Sequence, residues 1–392
     1  MEAVPEDIVI VGAGVAGLAT SLGLHRLGIR SLVLESSENL RSAGYCLTTF
    51  TNAWKALDAL GVGDSIRQQH ERLRRYVANS AISGLQISEL PFEKAKAKHG
   101  EHEVRCVKRK FLLEALAKEL PTGTRRFSSK VVCIEESGFF KLVHLADGTI
   151  LKTKVLIGCD GVNSVVANWL GFKKAAFAGR LAIRGCAEFE GGHGFEPNFM
   201  QFFGKGVRSG AIPVNDNSVY WHVTWTPSSK GKVTEQARAL IENYELDGFI
   251  SLPLRFRHPW ELLWGNISKG NVCIAGDALH PVTPDLGQGG CCALEDAVVL
   301  ARCLGEVLLR KPTEKGEEEK DEHKRIEMGL KKYAKERAWR STKLISVSYL
   351  VGFIQESHGN MMTFLRDNAL AGFLSGFLLK MADFDCGKLT IS

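Results

Sequence analysis

Ile8-Val9-Ile10-Val11 forms a continuous apolar run, followed by Gly12-Ala13-Gly14-Val15-Ala16-Gly17 and then a helix-like run from Leu18 to Leu27. A short, unbroken apolar run reads as a buried strand, and a longer periodic one as a helix. A second apolar run, Ser31-Leu32-Val33-Leu34, ends at Glu35. Ala53, Leu57, Leu60 and Ile66 recur near helical spacing and predict a helix over 51–66, with breaks at Gly61 and Gly63. Phe111 to Leu120 predicts a helix with one apolar face, stopped by Pro121. Residues 130–136 and 139–145 predict two strands, Ala146-Asp147-Gly148-Thr149 a hairpin-type turn, and Lys154 to Gly161 a buried strand ending in a glycine-rich corner.

A different pattern separates these elements. Residues 72–90 alternate loosely and read as strands outside the first unit. Residues 180–225 are rich in Phe, Trp, Gly and Val and predict antiparallel strands over 181–189, 197–204, 207–213 and 218–225. Thr234 to Tyr244 predicts a helix, Asn271 to Ala275 a strand leading back to the first unit, and Ala293 to Leu309 a long apolar helix. The highly charged run 310–323 predicts an exposed loop. From 325 to 385 the pattern is helical, with apolar stretches at 343–354 and 370–381 that predict packing against the body, and leave room for peripheral membrane contact. The expected fold is α/β. A Rossmann-like dinucleotide domain (1–75, 100–175 and 265–310) interleaves with a smaller antiparallel-sheet substrate domain (76–99 and 176–264), followed by a charged loop and C-terminal helices (311–392).

The glycines give the first unit its chemistry. Strand, Gly-rich turn, helix, strand and acid is the arrangement that binds the ADP half of a dinucleotide. Gly12 permits the tight turn, Gly14 lets backbone approach a pyrophosphate, and Gly17 lets helix and strand pack closely. Glu35 is placed to accept from the adenosine ribose hydroxyls and disfavours a 2′-phosphate, which points to FAD or NAD.

Composition narrows the picture. The 392 residues allow two domains, and 45% apolar with 24% charged residues is ordinary for a soluble protein. The net charge of +6 draws in anionic ligands, but no basic tract or nucleic-acid motif accompanies it. Ten cysteines lie scattered without CxxC pairs or metal-ligand spacing, so no metal is expected and a reducing, cytoplasmic setting is. The acidic start is unlike a secretory or transit segment, and trimming of a longer precursor would leave a plastid open. No apolar stretch is long enough to span a membrane.

Two further corners extend the ligand site. Gly158-Cys159-Asp160-Gly161 closes one buried strand, and Gly276-Asp277-Ala278-Leu279-His280-Pro281 another. Pro284-Asp285-Leu286-Gly287-Gln288-Gly289-Gly290 then opens a helix. One dinucleotide arm needs only the first site, so the additional corners suggest an extended cofactor held at both ends. Over residues 6–310 the chain resembles the class A flavin monooxygenases, and among them plant members related to salicylate hydroxylase and zeaxanthin epoxidase.

The resemblance implies FAD as cofactor, with NADPH or NADH and molecular oxygen as co-substrates. Gly12, Gly14, Gly17 and Glu35 would hold the ADP half. Arg41 and Arg109 match family arginines beside the cofactor, and Asp160 and Gly161 match the middle motif. Asp277 would bond the ribitol or adjacent phosphate, Pro284 would border the ring, and amides from Leu286 to Gly290, including Gly287, Gly289 and Gly290, would face its N1–C2 edge. The family arginine of the middle motif is missing from Ser164-Val165-Val166-Ala167, and Cys291 stands where relatives carry Asn. The implied reaction is hydroxylation or epoxidation of a moderately hydrophobic, cyclic small molecule through a flavin C4a-hydroperoxide; a flavin oxidoreductase without oxygen insertion is the alternative. Pro284 and Arg41 are the candidate catalytic residues beside the flavin. His222 is a third, the candidate base toward a phenol. Met200 and Phe202 share one sheet face, as do Tyr220 and His222, and such a face either packs or lines the pocket. A monomer or weak dimer is expected.

Overall fold

The computed structural model describes residues 4–40, 46–93, 96–97, 100–204, 206–227, 252–309, 319–356 and 371–389. Arg41 and the helix expected over Thr234 to Tyr244 lie outside them.

Two sheets organise the chain. In the first, the strand Val4–Val11 lies between Ile150–Gly158 and Leu32–Leu34, parallel to both, with Ile10 opposite Ile157 and Val33. The strand Ile150–Gly158 also carries Phe140–Leu145 antiparallel along its first half and Val272–Ile274 parallel along its last three residues. Ile8, Val9, Ile10, Leu156, Ile157 and Cys273 are buried, as expected for parallel strands covered on both faces. Val11, Leu34, Gly158 and Ile274 end in one row. The three Gly/acid corners of the sequence therefore meet at one edge of the sheet, where open α/β sheets bind ligands.

The second sheet has seven strands, among them Arg75–Ser80 and Gln86–Pro91, an antiparallel pair within the 72–90 stretch expected to form strands. It is not wholly antiparallel: Asn198–Phe203 runs parallel to Arg75–Ser80, with Gln201 opposite Ala78. That parallel pair joins two pieces of the sheet that are far apart in sequence and share no hairpin to force an antiparallel register. A two-stranded ribbon, Cys46–Thr49 with Arg105–Lys108, was not anticipated.

Helices follow the sequence pattern with three corrections. The predicted 51–66 helix divides into Thr51–Ala59 and Gly63–Arg67, because Gly61 takes a φ of 76° that ends the first piece. The long apolar helix starts at Gly289, four residues before its predicted start at Ala293. The end of the charged run is helical, since the helix Glu319–Glu356 opens with Glu319, Asp321 and Glu322, acids that suit a helix N-terminus. That helix packs on Gly289–Leu308, where a Cβ on Gly329 would stand 2.8 Å from Val307. Among the described residues, no helix is long and apolar enough to cross a membrane.

Candidate functional site

At the first corner, sterics explain two glycines and open space the third. Gly12 has a φ of 101°, and a Cβ there would lie 2.5 Å from the Cys159 carbonyl oxygen. A Cβ on Gly17 would lie 1.9 Å from the Gly12 carbonyl oxygen, inside any allowed contact. Around Gly14 nothing lies within 4 Å of a Cβ. The helix Val15–Arg26 behind it has no capping side chain and no acid in its first turn. Backbone amides thus face an open cradle of the kind a pyrophosphate fills. Glu35 is buried and anchored to the same loop: its Oε2 accepts from the Ala13 amide at 3.0 Å and its Oε1 from the Ser37 amide at 2.9 Å.

The middle corner is tied to the helix that follows it. Asp160 accepts from the Ser164 hydroxyl at 2.5 Å and the Val165 amide at 2.7 Å, at the start of the helix Val165–Trp169, which Ser164 caps. Burial raises its pKa, against those hydrogen bonds. Val162 and Asn163, which the sequence did not single out, carry this corner to the cavity wall in place of Asp160 and Gly161.

The third corner opens fully. Asp277 follows the strand Val272–Ile274 and lines a cavity of about 590 Å³ between the two sheets. Burial raises its pKa, opposed by the charges of His280, Arg109 and Arg184. Pro284, Gly287, Gly289 and Gly290 line the same cavity. The helix Gly289–Leu308 begins there with no side-chain cap and no acid in its first turn, leaving its amides to an electron-rich ligand. Glycines, open amides and Asp277 together fit an extended dinucleotide laid along the sheet edge.

The cavity's opposite wall is the second sheet. Tyr76, Phe199, Gln201, Arg208, Tyr220 and His222 line it. Phe199 and Gln201 face the cavity, so Met200 and Phe202, the alternate positions of that strand, belong to its other face. A buried ionic network runs through this lining. Asp285 accepts from Arg180 at 2.8 and 2.6 Å and from Arg208 at 3.0 Å, and Thr283 donates to it at 2.6 Å. Burial would raise the Asp285 pKa, but the two guanidinium groups hold it down at about 2. Arg208 Nε donates to Gln201 Oε1, and Gln201 Nε2 meets His222 Nε2 at 3.2 Å. Burial, then the Arg208 charge, lowers the His222 pKa to about 3, which leaves the ring neutral.

A second ladder sits under the cofactor motif. Glu295 and Asp296, consecutive acids on the helix Gly289–Leu308, pair with Arg337 and Arg340 of the helix Glu319–Glu356 at 2.6–2.8 Å, all buried. Asp296 also accepts from the Gly276 amide at 2.8 Å and holds His280 at 2.7 Å. Asn52 joins Glu295 to Gln288, the residue that precedes the helix. Sequence reasoning missed this ladder, although two acids inside an otherwise apolar helix were its readable signal. All ten cysteines are free, and among the described residues no group of His, Cys, Asp or Glu could hold a metal ion.

Comparison with known proteins gives the family. The FAD binding domain family matches residues 6–319. Monooxygenase 2 of Arabidopsis thaliana is 55% identical over 98% of both chains. An FAD-dependent urate hydroxylase of Mycolicibacterium vanbaalenii is 26% identical, covering 75% of this chain and 78% of its own. The crystal structure of Klebsiella pneumoniae HpxO complexed with FAD and uric acid superposes with a TM-score of 0.79 at 22% identity, over 97% of this chain and 98% of that one. By the family match and the near-complete alignment with its plant relative, the chain belongs to the FAD-dependent class A monooxygenases.

Proposed function

We propose that the protein uses NADPH or NADH and molecular oxygen to hydroxylate a small, cyclic, moderately hydrophobic substrate held between Pro284 and the wall formed by Tyr76, Phe199, Tyr220 and His222. The observation that carries this reading is the single cavity that has the cofactor motif on one side and an aromatic, hydrogen-bonding sheet face on the other. Relatives named for their substrates act on rings bearing oxygen or nitrogen, among them urate, 3-amino-4-hydroxybenzoate and 6-hydroxynicotinate. When bound, FAD supplies the redox chemistry and the activation of oxygen.

The chain's own residues bind and orient. In this reading Gly12, Gly14, Gly17 and Glu35 hold the ADP half, Arg41 and Arg109 approach the cofactor, and Asp160 with Gly161 shapes the corner between its halves. Asp277 takes a ribityl hydroxyl or the neighbouring phosphate. Amides from Leu286 to Gly290 stabilise negative charge that develops on the ring. Pro284 presents an apolar surface beside it and keeps water from the reacting centre. The ten free cysteines favour a reducing compartment such as the cytoplasm.

The test is anaerobic stopped-flow reduction of the bound flavin by NADPH and by NADH, with and without members of a hydroxylated aromatic library, followed by turnover under ¹⁸O₂. The expected result is ligand-accelerated reduction and one labelled oxygen in the product. Reductant consumption with no labelled product from any accelerating ligand would favour an oxidoreductase that does not insert oxygen.

A further inference from the structure

The short helix Pro259–Trp264 presents its apolar side to solvent. Trp260, Leu263 and Trp264 stand at i, i+3 and i+4, the spacing of one helix face. In a surface helix that face ordinarily meets the core. Here the three side chains are 47%, 59% and 79% exposed, and Leu262 is the helix residue that is buried. Rings continue the face onto neighbouring elements. The His258 ring stacks on Trp260 with centroids 4.3 Å apart, Phe256 meets His258 at 4.8 Å, and Tyr349 of the helix Glu319–Glu356 meets Phe256 at 5.2 Å. Tyr349 and Leu350 are themselves exposed. Phe177, exposed and opposite Arg255 in the second sheet, joins Phe256 and Tyr349 around a cavity of about 310 Å³. Single exposed apolar side chains are ordinary, whereas a contiguous apolar patch marks an interaction surface.

The fringe of this patch has one sign of charge. Lys173, Lys174 and Arg255 are exposed. The Lys173 carbonyl accepts from Arg257 at 3.2 Å and the Ala175 carbonyl from Arg255 at 3.2 Å, which ties the lysine pair to the chain that leads into the helix. Segments 171–187, 252–270 and 337–355, which meet at the patch, hold a single acid, Glu261. Arg257 takes that carboxylate at 3.3 Å. Among the described residues, Lys173, Lys174 and Arg255 have no carboxylate partner.

We propose that this face docks the protein reversibly on a membrane surface bearing anionic phospholipid, with Trp260, Trp264 and Tyr349 at headgroup level and Lys173, Lys174 and Arg255 on the lipid phosphates. Indole and phenol rings favour the membrane–water interface, and exposed cations gain from a negative lipid surface. The same charges disfavour a second copy as the occupant, because a two-fold contact would bury the patch against itself and bring no acid to the cations. The peripheral contact that the apolar stretches 343–354 and 370–381 left open thus falls mainly on another element; Leu344, Ile345 and Val351 of the first stretch belong to the core. Leu252 and Arg255 also line the cavity between the two sheets, so the docked face borders that cavity.

The test uses the FAD-loaded full chain and sucrose-loaded vesicles of phosphatidylcholine, alone or with one third phosphatidylserine. Sedimentation is expected to show at least tenfold tighter binding to the mixed vesicles, weakening as salt is raised. Replacing both tryptophans, Trp260→Ser with Trp264→Ser, and separately reversing both lysines, Lys173→Glu with Lys174→Glu, should each weaken that binding at least tenfold without changing the ratio of flavin to protein absorbance. Leu85→Ser, at an exposed position beside the opposite edge strand of the second sheet, should leave it unchanged. Lipid brominated near the headgroup should quench the tryptophan fluorescence of the wild type, and less that of the double tryptophan variant. Equal binding to the two kinds of vesicle, binding to neither, or binding that survives the tryptophan replacements would overturn the proposal. A dimer abolished by Trp264→Ser, with no vesicle binding, would overturn it in favour of a second copy. None of these readouts requires turnover, so they stand apart from the test of oxygen insertion.

Discussion

The two sides of the cavity are built by opposite means. The cofactor side is made of backbone: Gly17 and the Ala13 amide are placed by contacts near in sequence, and the bond from Ala13 to Glu35 spans only 22 residues. The substrate side is made of side chains brought from afar. Arg208 and Arg180 reach Asp285 across 77 and 105 residues of sequence. A backbone site leaves a local signature, because only glycine tolerates the turn and the close approach. A side-chain network leaves none until the sheet register is known. This contrast suits a family that keeps one cofactor and varies its substrate: the constraint is rigid where the ligand is common, and distributed where it differs.

The largest effect is expected from removing the charge at the centre of the substrate wall. Asp285→Asn leaves Arg180 and Arg208 buried with no anion between them. Breaking a buried pair in this way costs about 3–5 kcal/mol. Urea unfolding should show a loss of that order, while the Gly12–Gly17 loop retains its ability to bind FAD in the folded fraction. If Asp285→Asn unfolds with the wild-type midpoint, the network does not hold the wall, and the contrast between the two sides fails.

Next come the glycines, which separate packing from ligand approach. In Gly17→Ala the new methyl meets the Gly12 carbonyl oxygen at 1.9 Å, and the obstacle is backbone that cannot rotate away. A loss at or above the ~1–3 kcal/mol of ordinary overpacking is expected, with little flavin retained. Gly14→Ala meets nothing within 4 Å, so its melting temperature without cofactor should match the wild type. Its FAD affinity should nonetheless fall, because the methyl occupies the space the pyrophosphate needs. The ratio of flavin to protein absorbance, together with apo-protein melting, distinguishes the two. Equal FAD affinity in Gly14→Ala and the wild type would mean that the cradle at Gly14 is not where the phosphates lie.

How far the sequence reached follows from the same contrast. The strand ending at Val11 and the strands of the second sheet were legible because burial and alternation are local properties. Asp160 stands in a glycine-rich corner at a strand end, and its bonds to Ser164 and the Val165 amide, which tie that corner to the helix Val165–Trp169, had no separate signal in the sequence. The parallel pairing of Arg75–Ser80 with Asn198–Phe203 had no local signal at all, since more than a hundred intervening residues carry no turn that fixes its direction. Nor did the orientation of Gln201 and His222, which depends on a glycine between them on a third strand segment.

The smallest effect concerns the ladder that ties the cofactor side to the C-terminal helix, and it sharpens the comparison by asking whether the backbone side also depends on distant charges. Burial opposes the His280 imidazolium, but Asp296, bonded to it at 2.7 Å, outweighs burial and raises its pKa. A raised folded-state value means that the proton is held more tightly in the folded protein. The associated stability is complete below the unfolded value of about 6.5 and is lost as pH rises through the folded value. Each unit of displacement corresponds to about 1.4 kcal/mol. His70 and His102, whose pKa values burial lowers, act in the opposite direction and below pH 6.5. Stability measured from pH 6 upward should therefore decline in the wild type more steeply than in His280→Gln, which keeps a donor toward Asp296 but has nothing to titrate. Identical slopes would show that the folded protein does not raise the His280 pKa.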